Sequence, residues 1–162
     1  MILDTSSLLV RDLKQEIDRL YMSDANYTNF YLTFVSFGYK YGVPTDADLV
    51  FDVRFLPNPY YVEELKSLTG NEAAVDEYVM NADAAREFMD KLTGLIDFLI
   101  PNYRMEGKTG LVIAVGCTGG KHRSVTLTNR LYEHYANGEY GCKKLHRDID
   151  KDRVRKQGDL QR

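Results

Sequence analysis

Leu111-Val112-Ile113-Ala114-Val115-Gly116-Cys117-Thr118-Gly119-Gly120-Lys121-His122-Arg123-Ser124 is the stretch that decides the fold. Its first five residues are an unbroken apolar run, which predicts a buried strand. Val125 to Tyr135, just beyond it, carries Leu127, Leu131 and Tyr135 at helical spacing, which predicts a helix. The glycine-rich turn between them exposes backbone N–H groups at a helix N-terminus, where the helix dipole adds partial positive charge. Lys121, His122 and Arg123 add side-chain donors. Gly116, Cys117, Thr118, Gly119, Gly120, Lys121, His122, Arg123 and Ser124 together form a candidate anion site, with phosphate the first candidate ligand.

Working outward, Phe30 to Phe37 is apolar on both faces, as in a strand covered on both sides. Leu49 to Phe55 reads as another buried strand, ended by Leu56-Pro57-Asn58-Pro59 because proline cannot continue in a sheet interior. Leu9 to Tyr21 predicts a helix with Leu9, Leu13, Ile17 and Leu20 on one face, with Ser6 or Ser7 as N-cap. Residues 60–82 read as loop and short helix, with Thr69-Gly70-Asn71 as a turn. Ala84 to Ile100 is the strongest helix, with Phe88, Leu92, Leu95 and Leu99 on one stripe, Met89 and Ile96 beside it, and Pro101 as its stop. A polar loop runs from Arg104 to Gly110, Asn137-Gly138 ends the helix after the glycine-rich turn, and Tyr140 to His146 reads as a last short strand. Alternating strands and helices predict an α/β layered domain, with a mostly parallel central sheet flanked by helices.

The bulk numbers bound the class. A chain of 162 residues with 44% apolar and 28% charged side chains fits one soluble domain with its own core. No apolar run approaches the roughly 20 residues of a membrane span, and Met1-Ile2-Leu3-Asp4 does not open a secretory signal, so a cytoplasmic location without membrane contact is expected. Cys117 and Cys142 make no CxxC pair, so neither a disulfide framework nor a metal site is expected. The net charge of −3 is uneven: Lys143 to Arg162 holds eight Lys/Arg against four Asp, leaving −7 for residues 1–142. The expected organisation is a ligand-binding domain over 1–142 and a basic tail over 143–162. Lys143, Lys144, His146, Arg147, Lys151, Arg153, Arg155 and Lys156 are the candidate contacts to nucleic-acid phosphates. The competing reading of that tail is a solvated terminus.

In a parallel sheet, ligands sit at the C-terminal strand ends. Three polar clusters fall there: Ser36-Phe37-Gly38-Tyr39-Lys40, Asp52-Val53-Arg54 with Asn58, and the loop 116–124. Ser36, Lys40, Asp52, Arg54 and Asn58 therefore join the candidate site, their cations suited to a phosphorylated small molecule. Arg54 could instead pair with Asp52 or Asp46, and Lys40 could be a solvated loop lysine.

Two catalytic patterns need weighing. A nucleotide P-loop requires GxxxxGK followed by Ser or Thr; here Gly120-Lys121 is followed by His122, and Val115 stands where the first glycine belongs. A cysteine phosphatase requires a thiolate at the base of a phosphate loop and an arginine six residues on. Cys117, Arg123 and Ser124 meet that spacing, and a helix N-terminus lowers a thiol pKa. Gly116 stands where such enzymes usually place a His, and no general-acid loop is evident, Asp46, Asp48 and Asp52 being candidates.

Ser36-Phe37-Gly38-Tyr39-Lys40-Tyr41-Gly42, then Asp52-Val53-Arg54-Phe55-Leu56-Pro57-Asn58-Pro59, then Gly116 to Val125 occur in order, with Thr69-Gly70 between the second and third. Together with the opening Leu3-Asp4-Thr5-Ser6, they resemble the C-terminal domain of the RapZ/YvcJ family, bacterial RNase adapter and nucleotide-binding proteins. The likeness covers nearly the whole chain. It implies a fold similar to a phosphofructokinase subdomain. It also implies an N-terminal P-loop domain that binds and hydrolyses ATP or GTP and is missing here, the chain being a C-terminal fragment or a stand-alone relative. In enterobacterial members the C-terminal domain binds small regulatory RNA and senses glucosamine 6-phosphate; UDP-sugar binding is the other ligand class it implies. Some members carry His where this chain has Tyr41, a difference that bears on ligand specificity. The family's basic tail is matched in charge around Lys143 to Lys156. The expected function is a regulatory sensor and adapter domain with no cofactor of its own, not a catalyst by itself. The alternatives are a Cys117-dependent phosphatase and an oligomerisation module of a P-loop NTPase.

Overall fold

The apolar run that opens the glycine-rich turn is a central strand of a four-stranded sheet. The computed structural model describes residues 30–151, so the expected helix over 9–21 and the tail residues Arg153, Arg155 and Lys156 lie outside the described residues. The strands are β1 (Tyr31–Gly38), β2 (Leu49–Asp52), β3 (Gly110–Cys117) and β4 (Gly141–His146), in the spatial order β2-β3-β1-β4. Every pairing is parallel. The α/β layered architecture expected from the alternation of elements is what the chain adopts, and the C-terminal ends of β1, β2 and β3 share one edge.

The described residues form four α-helices: α1 (Glu63–Lys66), α2 (Ala73–Met80), α3 (Asp83–Met105) and α4 (Arg123–Tyr135). Strand alternation selects what they cover. Leu32 and Phe34 of β1 and Leu111, Ile113, Val115 and Cys117 of β3 share one buried cluster with Val75, Val79, Leu92, Ile96, Ile100, Leu127 and Leu131 of the helices. On the opposite face Val35, Phe37 and Ala114 form a smaller cluster with Tyr39, Ala47 and Val112. Residues 39–48 must pass from β1 to β2 across the intervening β3, and their Tyr39 and Ala47 pack on that face. Asp48 fastens the crossing: its N–H donates to Val112 O (2.8 Å), its carboxylate accepts from Val112 N (2.8 Å), and Lys108 pairs with it.

Three local readings are corrected. The strand expected over 49–55 stops at Asp52, because Arg54 turns back on the Asp52 carboxylate; it is also a half-exposed edge strand, not a buried one. Pro101 does not stop α3, which runs on to Met105. Proline removes one N–H, that to Asp97 O, from the ladder, but Ile100 and Tyr103 on either side pack on the core, and Asn102 Nδ2 donates to Phe98 O (2.7 Å) in the next position. The buried stripe of α3 is Ala85, Leu92, Ile96 and Ile100, leaving Leu95 exposed.

Several glycines let backbones meet around the loop. A Cβ on Gly70 would lie 2.5 Å from His122 O and Thr126 N, against the start of α4. A Cβ on Gly94, midway along α3, would meet nothing within 4 Å. The same substitution should therefore have opposite signs. Gly70→Ala is expected to destabilise by about 1–3 kcal/mol through forced backbone displacement. Gly94→Ala is expected to stabilise by about 0.5–1 kcal/mol through helix propensity. Urea denaturation of the two variants reads both; equal shifts would contradict this packing.

Candidate functional site

The loop between β3 and α4 is held from three sides by backbone. Lys40 N donates to Thr118 O (3.3 Å) and Gly70 N to Lys121 O (2.9 Å). Beneath it, a Cβ on Gly38 would lie 2.6 Å from Gly119 C, and one on Gly120 would lie 2.6 Å from Gly38 N. Gly120 also has φ +73°, a left-handed conformation that glycine adopts without strain. Asp148 locks the back of this contact. Its buried carboxylate accepts from Gly38 N (2.8 Å), Arg147 Nη2 (2.6 Å) and Lys151 Nζ (2.6 Å). Burial alone would raise its pKa, but these donors together hold it below the usual carboxylate value.

His122 is the N-cap of α4, and Thr126 N–H donates to His122 O (3.0 Å). Backbone N–H groups of a helix's first turn have no intrahelical acceptor and face a ligand or solvent. Arg123 is 5% exposed; its Nη1 donates to Arg54 O (2.7 Å) and Leu56 O (3.1 Å) and its Nη2 to Thr118 Oγ1 (3.4 Å). Arg123 Nε and His122 Nε2 are buried without a hydrogen-bond partner. Burial first, and then the Lys121 charge, hold the His122 pKa below the ordinary imidazole value, so this ring is neutral. The arrangement is a helix N-terminus with a buried guanidinium whose Nε lacks an acceptor, beside a neutral His122 ring that the backbone of Leu68 and Lys66 approaches. Such an arrangement can accept an oxyanion.

Cys117 points into the core, 3% exposed, with its Sγ 3.1 Å from Ser124 Oγ and accepting from Gly120 N (3.3 Å). The Gly120 N–H expected to face a phosphate is thus turned to the thiol. Lys121 lies along the loop flank, its Nζ donating to Lys66 O (3.2 Å) and Ser67 O (2.9 Å). Of the strand-end residues, Arg54 reaches the loop through its carbonyl, while its guanidinium grips Asp52 (2.6–3.0 Å) and stacks on Tyr39, 4.2 Å from the ring centre. The Arg54 hydrogen bond leads in holding the Asp52 carboxyl below its ordinary range. Lys40 lies over the Tyr41 ring (4.9 Å).

Ser36 and Asn58 are engaged elsewhere in the fold. Asn58 Oδ1 accepts from Tyr60 N (3.3 Å) and caps the short turn Pro59–Tyr61. Ser36 is buried beside His146, with its Oγ 2.8 Å from Nδ1. His146 Nε2 (3.1 Å) and Lys144 Nζ (2.7 Å) share Asn129 Oδ1, so Nε2 carries the proton and Ser36 donates to Nδ1. Asn129 Nδ2 donates onward to Gly70 O (3.3 Å) and Asn71 Oδ1 (2.9 Å). Lys143 and Lys144 belong to β4, and Arg147 and Lys151 hold Asp148 against the loop, so the basic segment begins inside the sheet.

Sequence reasoning missed Asp148 and Asn129. Asp148 was hidden among the basic residues of the tail, and Asn129 was one polar residue in a helix. Among the described residues no group of His, Cys, Asp and Glu could hold a metal, and no helix is long and apolar enough to cross a membrane.

His122 and His146 are both depressed, chiefly by burial, with Lys121 and Lys144 adding to it. Their stabilising contribution is complete above the ordinary imidazole pKa of 6.5 and is lost as pH falls towards the lower folded values. The melting temperature should fall between about pH 7.5 and about pH 5.5, and His146→Gln should flatten that fall. A melting temperature independent of pH there would contradict the buried neutral imidazoles.

Comparison with known proteins locates the chain. The family profile described as RapZ C-terminal domain matches residues 30–150. A nucleotide-binding protein of Lachnoclostridium phytofermentans is 58% identical over 150 residues, 93% of this chain and 53% of that protein. One of Agathobacter rectalis is 55% identical, covering 95% of this chain and 53% of the relative. One of Caldicellulosiruptor saccharolyticus is 56% identical, covering 93% and 52%. The chain thus spans about half the length of the curated relatives it matches.

Proposed function

Since this chain belongs to the RapZ C-terminal domain family, we propose that it is a regulatory sensor and adapter domain whose β3–α4 loop captures the phosphate of a phosphorylated amino sugar or a nucleotide-sugar. The observation that carries this reading is the pair of buried nitrogens, Arg123 Nε and His122 Nε2, left without partners at the N-terminus of α4. An oxyanion there would accept from them and from the first-turn amides, and would complete a set of donors that burial otherwise penalises. Neutral His122 donates without adding charge, so Arg123 and Lys121 supply the positive field. The relatives are named nucleotide-binding proteins and are about twice as long, which supports an ATP- or GTP-binding P-loop partner domain. The proposed setting is the cytoplasm.

The adapter half of the proposal rests on the basic segment. Lys143 is exposed on β4; Lys144 alternates to the α4 face, where it meets Asn129 and Tyr132, while Arg147 and Lys151 lie by Gly42 and Tyr41. They would meet the backbone of an RNA. Because Arg147 and Lys151 also hold Asp148 against Gly38, RNA contact and the state of the loop would be linked through one carboxylate.

Titration calorimetry with glucosamine 6-phosphate, UDP-N-acetylglucosamine and inorganic phosphate tests the sensor reading. Saturable binding that weakens more than tenfold in Arg123→Ala, and less in Arg123→Lys, is the expected result; thermal melts establish that both variants fold. Unchanged affinity in a folded Arg123→Ala would contradict it. RNA affinity should fall steeply as salt is raised, with a slope set by the number of phosphates contacted; salt-independent binding would contradict the backbone reading. The phosphatase alternative would require aryl-phosphate turnover lost in Cys117→Ser, from a thiol that is buried in the core.

A further inference from the structure

Arg54 has a geometry that phosphate capture does not explain. Its Nε and Nη2 edge is clasped by both Asp52 oxygens, at 2.6–3.0 Å. Its Cζ lies over the Tyr39 ring, 4.2 Å from the ring centre. Its side chain is nevertheless 49% exposed. Tyr39 is itself fixed, edge-on to Phe37 at 4.9 Å, over the backbone of Gly116. The carbonyl of Arg54 is held by Arg123 at 2.7 Å, which ties this stack directly to the loop. The result is a half-exposed guanidinium beside the loop, held on its Nε and Nη2 side by Asp52 and against Tyr39.

Its charge argues against a second phosphate. Asp52 neutralises the guanidinium, and its carboxylate would repel an approaching anion. What remains is a flat, polarisable face with a donor (Nη1–H) and an acceptor (an Asp52 oxygen) side by side. That combination suits a neutral, planar, hydrogen-bonding ring. We propose that the Arg54–Tyr39 stack is a nucleobase shelf, so that the ligand of the neighbouring loop is a nucleoside phosphate rather than a bare sugar phosphate. The proposal rests on the phosphate reading of the β3–α4 loop and narrows its ligand class. Because Asp52 and Tyr39 fix the guanidinium before the ligand arrives, little side-chain entropy is lost on stacking.

Ribose 5-phosphate is the decisive control, because it carries the phosphate and sugar of a nucleotide without the base. Calorimetric titration with uridine 5′-monophosphate, adenosine 5′-monophosphate and ribose 5-phosphate should give at least one nucleotide binding about tenfold or more tighter than ribose 5-phosphate. Arg54→Lys keeps the charge and removes the plane, so the ratio of the two affinities should fall towards one. Tyr39→Leu should do the same and Tyr39→Phe should not, with thermal melts confirming that each variant folds. Equal affinities for all three compounds in the unaltered chain would overturn the shelf while leaving the phosphate loop standing, as would a ratio unmoved by Arg54→Lys. A short oligoribonucleotide that binds where both free nucleotides fail would also overturn it. Failure of every phosphate compound, inorganic phosphate and glucosamine 6-phosphate included, would overturn the loop reading on which it rests.

Discussion

The structure depends on a place where three backbones meet with no room for a side chain. The end of β1, the loop after β3 and the turn after α1 approach so closely that a Cβ on Gly38 would lie 2.6 Å from Gly119 and one on Gly70 would lie 2.5 Å from His122. Glycine at these positions brings Lys40, the Thr69-Gly70 turn and the first turn of α4 against one another. It also fixes where the amides at the head of α4 point. The proposed anion site would therefore follow from packing: its donors would sit on backbone that cannot move without opening the β1–β3 strand ends. Small shifts at such a densely packed junction are transmitted rather than absorbed.

Polar anchoring carries the junction outward to the basic segment. Asp148, buried behind Gly38 and Gly120, accepts from the loop side and from Arg147 and Lys151 on the other. A second chain of bonds runs from Ser36 through His146 to Asn129 and Gly70, with Lys144 sharing the Asn129 oxygen. Both chains connect residues of or just beyond β4 with elements that shape the loop. Under the proposed sensor and adapter reading, a ligand in the loop and an RNA on the basic segment would act on the same few hydrogen bonds.

The architecture was legible because its signals are local. An apolar run before a glycine turn and a helical repeat gave β3, the loop and α4, and the alternation of elements gave a parallel sheet. What was not legible depended on partners distant in sequence. Pro101 reads as a helix stop until Asn102 and the core contacts of Ile100 and Tyr103 are seen. Ser36 and Asn58 were placed at the site by strand-end position alone, whereas one is committed to His146, 110 residues away, and the other to a local cap. Arg54 had two readings in the sequence, and the structure gives it the pairing with Asp52. Asp148 had no sequence signal, because a carboxylate among lysines and arginines looks like a solvated charge.

The most direct test of the central claim is a titration of the ¹⁵N-labelled chain with inorganic phosphate, followed by amide chemical shifts. The account predicts saturable shifts concentrated on Gly119 and on Lys121 to Val125, with Gly70 and Gly38 following because their backbones touch the loop. Shifts absent from the head of α4, or spread over the basic surface without saturation, would contradict an anion site there.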